Sequence, residues 1–145
     1  MNIGLDIGGT NIKGVLRDGK KIIAEIKVKI KSRKDKNVLF FQIFDCINSL
    51  KRGRRIEKIG IGVAGPVDFK KQTVLNPPNL ISLKSLKLGK IIGEKFKTKT
   101  IIEHDVNCFA LAEAILGAGK NHQSVFGITL GTGDSENRLM VFPRA

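Results

Sequence analysis

The chain has no tryptophan and no tyrosine, and its eight phenylalanines lie in apolar contexts. Proteins that stack nucleic-acid bases need exposed aromatic faces, so no such platform is evident. Cysteine and histidine are scarce, with only Cys46, Cys108, His104 and His122. That number supports neither a disulfide framework nor a Cys/His metal cluster. Each cysteine sits in an apolar helical pattern and reads as a small core residue in a reducing compartment. No apolar stretch reaches the roughly 18 residues of a membrane helix. Met1-Asn-Ile-Gly-Leu-Asp6 lacks the basic-then-apolar pattern of a signal peptide. A cytoplasmic protein with no membrane partner is expected.

Acidic residues are also few. Asp and Glu number 13 against 26 Lys and Arg, a net charge of +13. The excess gathers at 20–36 and 51–58. Nucleic acid could answer such charge. However, the lysines alternate with apolar residues in Ala24-Glu-Ile-Lys-Val-Lys-Ile-Lys31, as on a strand with one wet face. Lysine on an edge strand also discourages unwanted pairing. Solvated lysines are the favoured reading, against a nucleic-acid partner. A homo-oligomer is left open.

What is present is one domain's worth of chain, 145 residues with 41% apolar content. Residues 2–8, 11–17 and 21–31 read as successive strands, with Asp18-Gly19 as a turn. Residues 35–51 read as a helix capped by Asp35, since Phe40, Ile43, Phe44, Ile47 and Leu50 recur at helical spacing. A strand over 58–63 follows, then a long connection through Pro77-Pro78. A helix is expected over 88–96, a strand over 99–103, and a helix over 105–116 that Gly117 and Gly119 end. That last helix is apolar nearly all round and is expected to be buried. The order is β-β-β-α-β-α-β-α. It predicts an α/β fold of ribonuclease H-like type, a mixed sheet with an antiparallel meander and flanking helices.

The most informative segment is Asp6-Ile-Gly-Gly-Thr-Asn-Ile-Lys13. Two strands joined by a Gly-Gly-Thr turn would expose backbone N–H groups to an anion. A carboxylate beside a phosphate repels it unless a divalent cation intervenes, which suggests Mg²⁺ with a nucleotide. It is not a dinucleotide fingerprint or a Walker loop, because a strand and not a helix follows. An ordinary glycine-rich hairpin is the alternative.

Four further segments bear on chemistry. Gly60-Ile-Gly-Val-Ala-Gly-Pro-Val-Asp68 ends a strand with small residues, and Gly65 would let a ligand touch backbone. Asn76-Pro-Pro-Asn79 is a rigid loop whose amides suit hydroxyl-rich ligands or plain turns. Glu103-His-Asp-Val-Asn107 lies at the C-terminal end of a strand, where open α/β sheets bind ligands. Asp105 is either a helix cap or a general base for a hydroxyl attacking a phosphoryl group. Phe126-Gly-Ile-Thr-Leu-Gly-Thr-Gly133 runs a strand into a second glycine turn.

Taken in order, these five segments resemble the ROK family of sugar kinases, which belongs to the actin-like ATPase superfamily. The resemblance covers residues 2–133. It implies ATP-dependent phosphorylation of a hexose or N-acetylhexosamine, with Asp105 as catalytic base. Gly8, Gly9, Thr10, Asn11 and Lys13 would form the first phosphate loop, with Asp6 facing Mg²⁺ through water. Gly131, Thr132 and Gly133 would begin the second. Gly65, Asn79, His104 and Asp105 would line the sugar pocket, although the family often has Asn where His104 stands.

The tail from Asp134 to Ala145 departs from the family pattern and suggests a truncation. Residues 1–120 would then be an N-terminal ATPase-fold domain, and 121–145 the first strand and turn of a second. Activity of this chain by itself is expected to be weak or absent. The alternative is a non-catalytic sugar-sensing or interaction module. Repressors of the family carry an N-terminal helix-turn-helix domain, and the chain opens directly on a strand, which argues against repression.

Overall fold

The computed structural model describes residues 1–125 and Gly127. The chain divides into two units, Met1–His104 and a second that opens at Asp105.

The first unit is built on a five-stranded sheet. Strands β1 (Asn2–Ile7), β2 (Asn11–Asp18) and β3 (Lys21–Lys29) form the expected antiparallel meander. Helix α1 (Lys36–Lys51) returns the chain to β4 (Lys58–Val63), parallel to β1. A short hairpin, β5 (Val67–Asp68) and β6 (Thr73–Val74), lies within the long connection that follows β4. A single 3-10 turn at Ile81–Leu83 and helix α2 (Leu88–Phe96) then lead to β7 (Lys99–His104), parallel to β4. The sheet order is β3-β2-β1-β4-β7.

Alternation along the strands separates the two faces. Ile3, Leu5, Ile7, Ile12, Leu16, Ile59, Ile61, Val63 and Ile102 are all buried. Leu39, Ile43, Cys46, Ile47 and Leu50 of α1 join the same core. Burying each such aliphatic side chain contributes about 1.5–3 kcal/mol. Desolvation holds the Cys46 thiol above its ordinary pKa, and the neighbouring Asp45 carboxylate pushes the same way.

The end of β3 is fixed to α1 by one buried amide. Gln42 Oε1 accepts from Lys31 N–H, and its Nε2 donates to Lys29 C=O, each at 2.9 Å. Both polar atoms are thus satisfied, which is what permits a buried glutamine. Asp35 caps α1 as its position suggested, accepting from Asn37 and Val38 N–H at 2.8 and 3.2 Å.

The second unit contributes α3 (Asp105–Ile115). The expectation that this helix is buried fails. Only Val106 and Ala110 are buried, while Phe109, Leu111, Ile115 and Leu116 are 43–61% exposed. A helix apolar on every side needs neighbours on every side. The described residues supply them along one strip only.

One core position constrains the packing of α1 on the sheet. A Cβ on Gly14 of β2 would stand 2.7 Å from Leu5 Cδ2, 2.8 Å from Leu50 Cδ1 and 3.1 Å from Ile26 Cγ2. Gly14→Val is therefore expected to overpack the core and cost about 1–3 kcal/mol in urea unfolding. An unchanged midpoint would show that α1 can ride outward without loss.

Candidate functional site

Three parallel strands end side by side. Ile7 of β1 pairs with Val63 of β4, and Val63 pairs with His104 of β7. The loops that leave this edge hold most of the residues the sequence singled out. The C-terminal ends of parallel strands are where open α/β sheets present ligands.

The first loop is the turn between β1 and β2. Gly8 N–H closes it by donating to Asn11 C=O at 3.0 Å. Thr10 C=O accepts from Ile30 N–H at 2.9 Å, which ties the turn to the chain leaving β3. Thr10 itself is exposed. With Gly8 N–H engaged in the turn, Gly9 and Thr10 are the turn's remaining donors toward an anion.

Asp6 and Lys13 flank this turn on the two strands. They are cross-strand partners, with Lys13 Nζ 3.6 Å from Asp6 Oδ2. Lys13 thus stands on β2 and not within the turn. The pair is 59% and 47% exposed, so it contributes at most about 1 kcal/mol.

The second and third loops pack against the first two strand ends without intervening side chains. Gly65 adopts φ +148°, a region that side-chain-bearing residues avoid. A Cβ there would lie 2.7 Å from both Cα and Cβ of Pro77. Likewise, a Cβ on Gly9 would lie 2.9 Å from Asn79 Cβ. The Asn76–Asn79 loop therefore rests on both glycine turns at once. Ala64 N–H donates to Ile7 C=O at 3.0 Å, and Leu75 N–H to Pro66 C=O at 2.9 Å, which fixes the same arrangement through backbone. Pro77 is buried, whereas Asn79 is exposed beside the hairpin.

Gln72 is a residue that sequence reasoning missed. It sits in the β5–β6 turn at φ +53°. Its Oε1 accepts from Ile102 N–H of β7 at 2.6 Å, and its Nε2 donates to Phe69 C=O at 2.5 Å. One side chain thus fastens the hairpin to the strand that ends at His104. A lone glutamine in a loop carries no pattern that would have revealed this.

His104 is 8% exposed and shares the covered side of the sheet with its register partner Val63. Its N–H donates to Glu103 Oε1 at 2.7 Å. Asp105 follows directly and opens α3, where its Oδ1 accepts from Val106 N–H at 2.8 Å. Gly131, Thr132 and Gly133 lie outside the described residues. Among the described residues, no cluster of three or more His, Cys, Asp or Glu could cage a metal ion.

The loop packing makes a direct prediction. Gly65→Ala should cost about 1–3 kcal/mol through backbone strain and the approach to Pro77. Gly60→Ala, within β4 and with nothing within 4 Å of its Cβ position, should stay within about 0.5 kcal/mol. Equal midpoints for the two variants in urea unfolding would mean that Gly65 is not held against the proline loop.

Comparison with known proteins adds the family. The ROK family model matches residues 2–134. A glucokinase from Streptomyces coelicolor is 33% identical over 134 residues, which cover 92% of this chain and 41% of that protein. An N-acetyl-D-glucosamine kinase from Aliivibrio salmonicida is 31% identical over 135 residues, covering 92% and 44%. The crystal structure of a ROK family glucokinase from Streptomyces griseus, in complex with glucose and AMPPNP, superposes with a TM-score of 0.77. It is 28% identical, covering 96% of this chain and 46% of that one. The chain thus spans less than half the length of the relatives it matches. Its mixed sheet and helices are those of the actin-like ATPase fold, and the chain belongs to the ROK family.

Proposed function

We propose that this chain forms the sugar-binding half of an ATP-dependent kinase acting on a hexose of the glucose or N-acetylhexosamine type. The observation that carries the reading is the convergence of the Gly9 turn, the Gly65 turn and Asn79 at the ends of β1 and β4, directly beside the end of β7. The S. griseus relative holding glucose and AMPPNP supports it. Residues 1–120 would belong to the first domain and 121–145 would begin the second.

In this reading Gly65 presents backbone to the sugar, while Asn79 and His104 orient its hydroxyls. An amide can donate and accept at one tip, which suits a polyol. Asp105 accepts the proton of the attacking hydroxyl as the sugar oxygen bonds to the γ-phosphorus and ADP leaves. The N–H groups of Gly9 and Thr10 face the phosphate chain, with Gly8 and Asn11 closing the turn and Lys13 beside it on β2. Gly131, Thr132 and Gly133, outside the described residues, are the candidates for the second set of phosphate contacts. Mg²⁺ enters as part of the nucleotide substrate, and Asp6 is the carboxylate that would face it through water. A lone carboxylate fits an ion held mainly by phosphate and water, as Mg²⁺ usually is. Closure of two halves over the sugar would exclude water as a competing acceptor.

The chain by itself is expected to bind glucose or N-acetylglucosamine without transferring phosphate efficiently. Asn79→Ala should weaken that binding about three- to tenfold, the worth of one lost hydrogen bond. In a coupled assay with ATP, Mg²⁺ and a hexose panel, turnover should fall far below the about 1–100 per second usual for kinases. Turnover within that range would show that these residues already hold a complete nucleotide site. Sugar affinity unmoved by Asn79→Ala would remove Asn79 from the pocket.

A further inference from the structure

A second cleft lies at the opposite end of the sheet, where β4 and β7 begin. It encloses about 420 Å³ and is lined by Lys51, Arg55, Lys97 and Lys99 among others. The one carboxylate in its lining, Glu57, is already engaged. The Met1 ammonium lies 3.0 Å from Glu57 Oε1, and that bond and its charge, with smaller contributions from Arg55 and Lys58, lower the Glu57 pKa. Among the described residues, none of the four cations is in an ion pair. Lys58 adds to the charge, because it pairs in register with Lys99 at the start of the two strands.

Part of this charge has an ordinary role. Lys51 ends α1 and Lys97 caps α2, where a cation offsets the helix dipole. Arg55 and Lys99 lie outside the helices and have no such role. Four cations share this concavity with the one carboxylate of Glu57, so the lining carries a net positive charge toward an anion. Thr98 in the same lining adds no donor, since its N–H donates to Gly93 C=O at 3.1 Å and its hydroxyl to Phe96 C=O at 2.9 Å.

We propose that this cleft binds a small anion carrying two or more phosphoryl groups. Several cations around one cavity suit a chain of phosphate oxygens better than a single carboxylate, and Arg55 offers the bidentate geometry that phosphate takes. The site is separate from the candidate sugar site. β4 runs six residues from Lys58 to Val63, so the two ends lie roughly 16–20 Å apart. The proposal does not depend on the kinase reading.

The test is calorimetric titration of the full chain with inorganic tripolyphosphate, orthophosphate and sulfate at matched ionic strength. Tripolyphosphate should bind saturably and more tightly than the other two. Lys97→Gln/Lys99→Gln should weaken it by about tenfold or more. Lys84→Gln/Lys87→Gln removes the same charge from exposed positions elsewhere and should change it less than about twofold. These are surface substitutions that leave the fold intact. Equal weakening by both pairs would reduce the effect to diffuse charge and overturn the site. No weakening by Lys97→Gln/Lys99→Gln, or sulfate binding as tightly as tripolyphosphate, would overturn it as well.

Discussion

Two close backbone approaches govern the geometry of the candidate site. Gly65 touches Pro77 and Gly9 touches Asn79, each at a distance that no Cβ could occupy. These contacts gather loops from three distant parts of the chain over the ends of β1 and β4. The sheet alone would align the strand ends and leave the loops to wander. With the glycines in place, the proline-stiffened Asn76–Asn79 segment has one seat, and the exposed amide of Asn79 is fixed beside the Gly-Gly-Thr turn. The energetic logic is that of preorganisation: the strain of φ +148° at Gly65 is avoided only by glycine.

The rest of the first unit supports that seat from below. α1 packs on the meander through Leu39, Ile43, Ile47 and Leu50, with Gly14 leaving room for Leu50. Gln42 locks the exit of β3, and Thr10 C=O ties the Gly-Gly-Thr turn to the same exit. On the far side, Gln72 fastens β7 through Ile102 N–H, so the strand that delivers His104 is also held. The loops are thus braced from two directions by single amide side chains and not by a large polar network.

Much of the fold was legible because it was written in period. The alternation in β1–β3 and the helical spacing of Phe40 to Leu50 gave elements whose bounds differ from those observed by a residue or two. The glycine turns were legible as candidate anion sites because glycine is informative about backbone. Strands β5 and β6 were missed because two residues are too few to show alternation. Gln72 and its bond to Ile102 were missed because contacts across thirty residues of sequence leave no local mark. The burial of α3 was misjudged for a different reason. Its composition reports how much apolar surface wants covering, but not whether the cover lies within the described residues. The contact of Gly9 with Asn79 lay between these cases. Each residue was singled out, while their adjacency needed the structure.

In the proposed function one sugar is held by the Gly9 turn, the Gly65 turn, Asn79, His104 and Asp105. Backbone amide NMR mapping of the chain titrated with glucose and with N-acetylglucosamine tests it most directly. The account predicts saturable shifts concentrated at Gly9, Gly65, Asn79, His104 and Asp105, with the start of β4 and the α1 surface unmoved. Shifts that centre instead on the β3–α1 side, or no saturable shift with either sugar at high millimolar concentration, would contradict it.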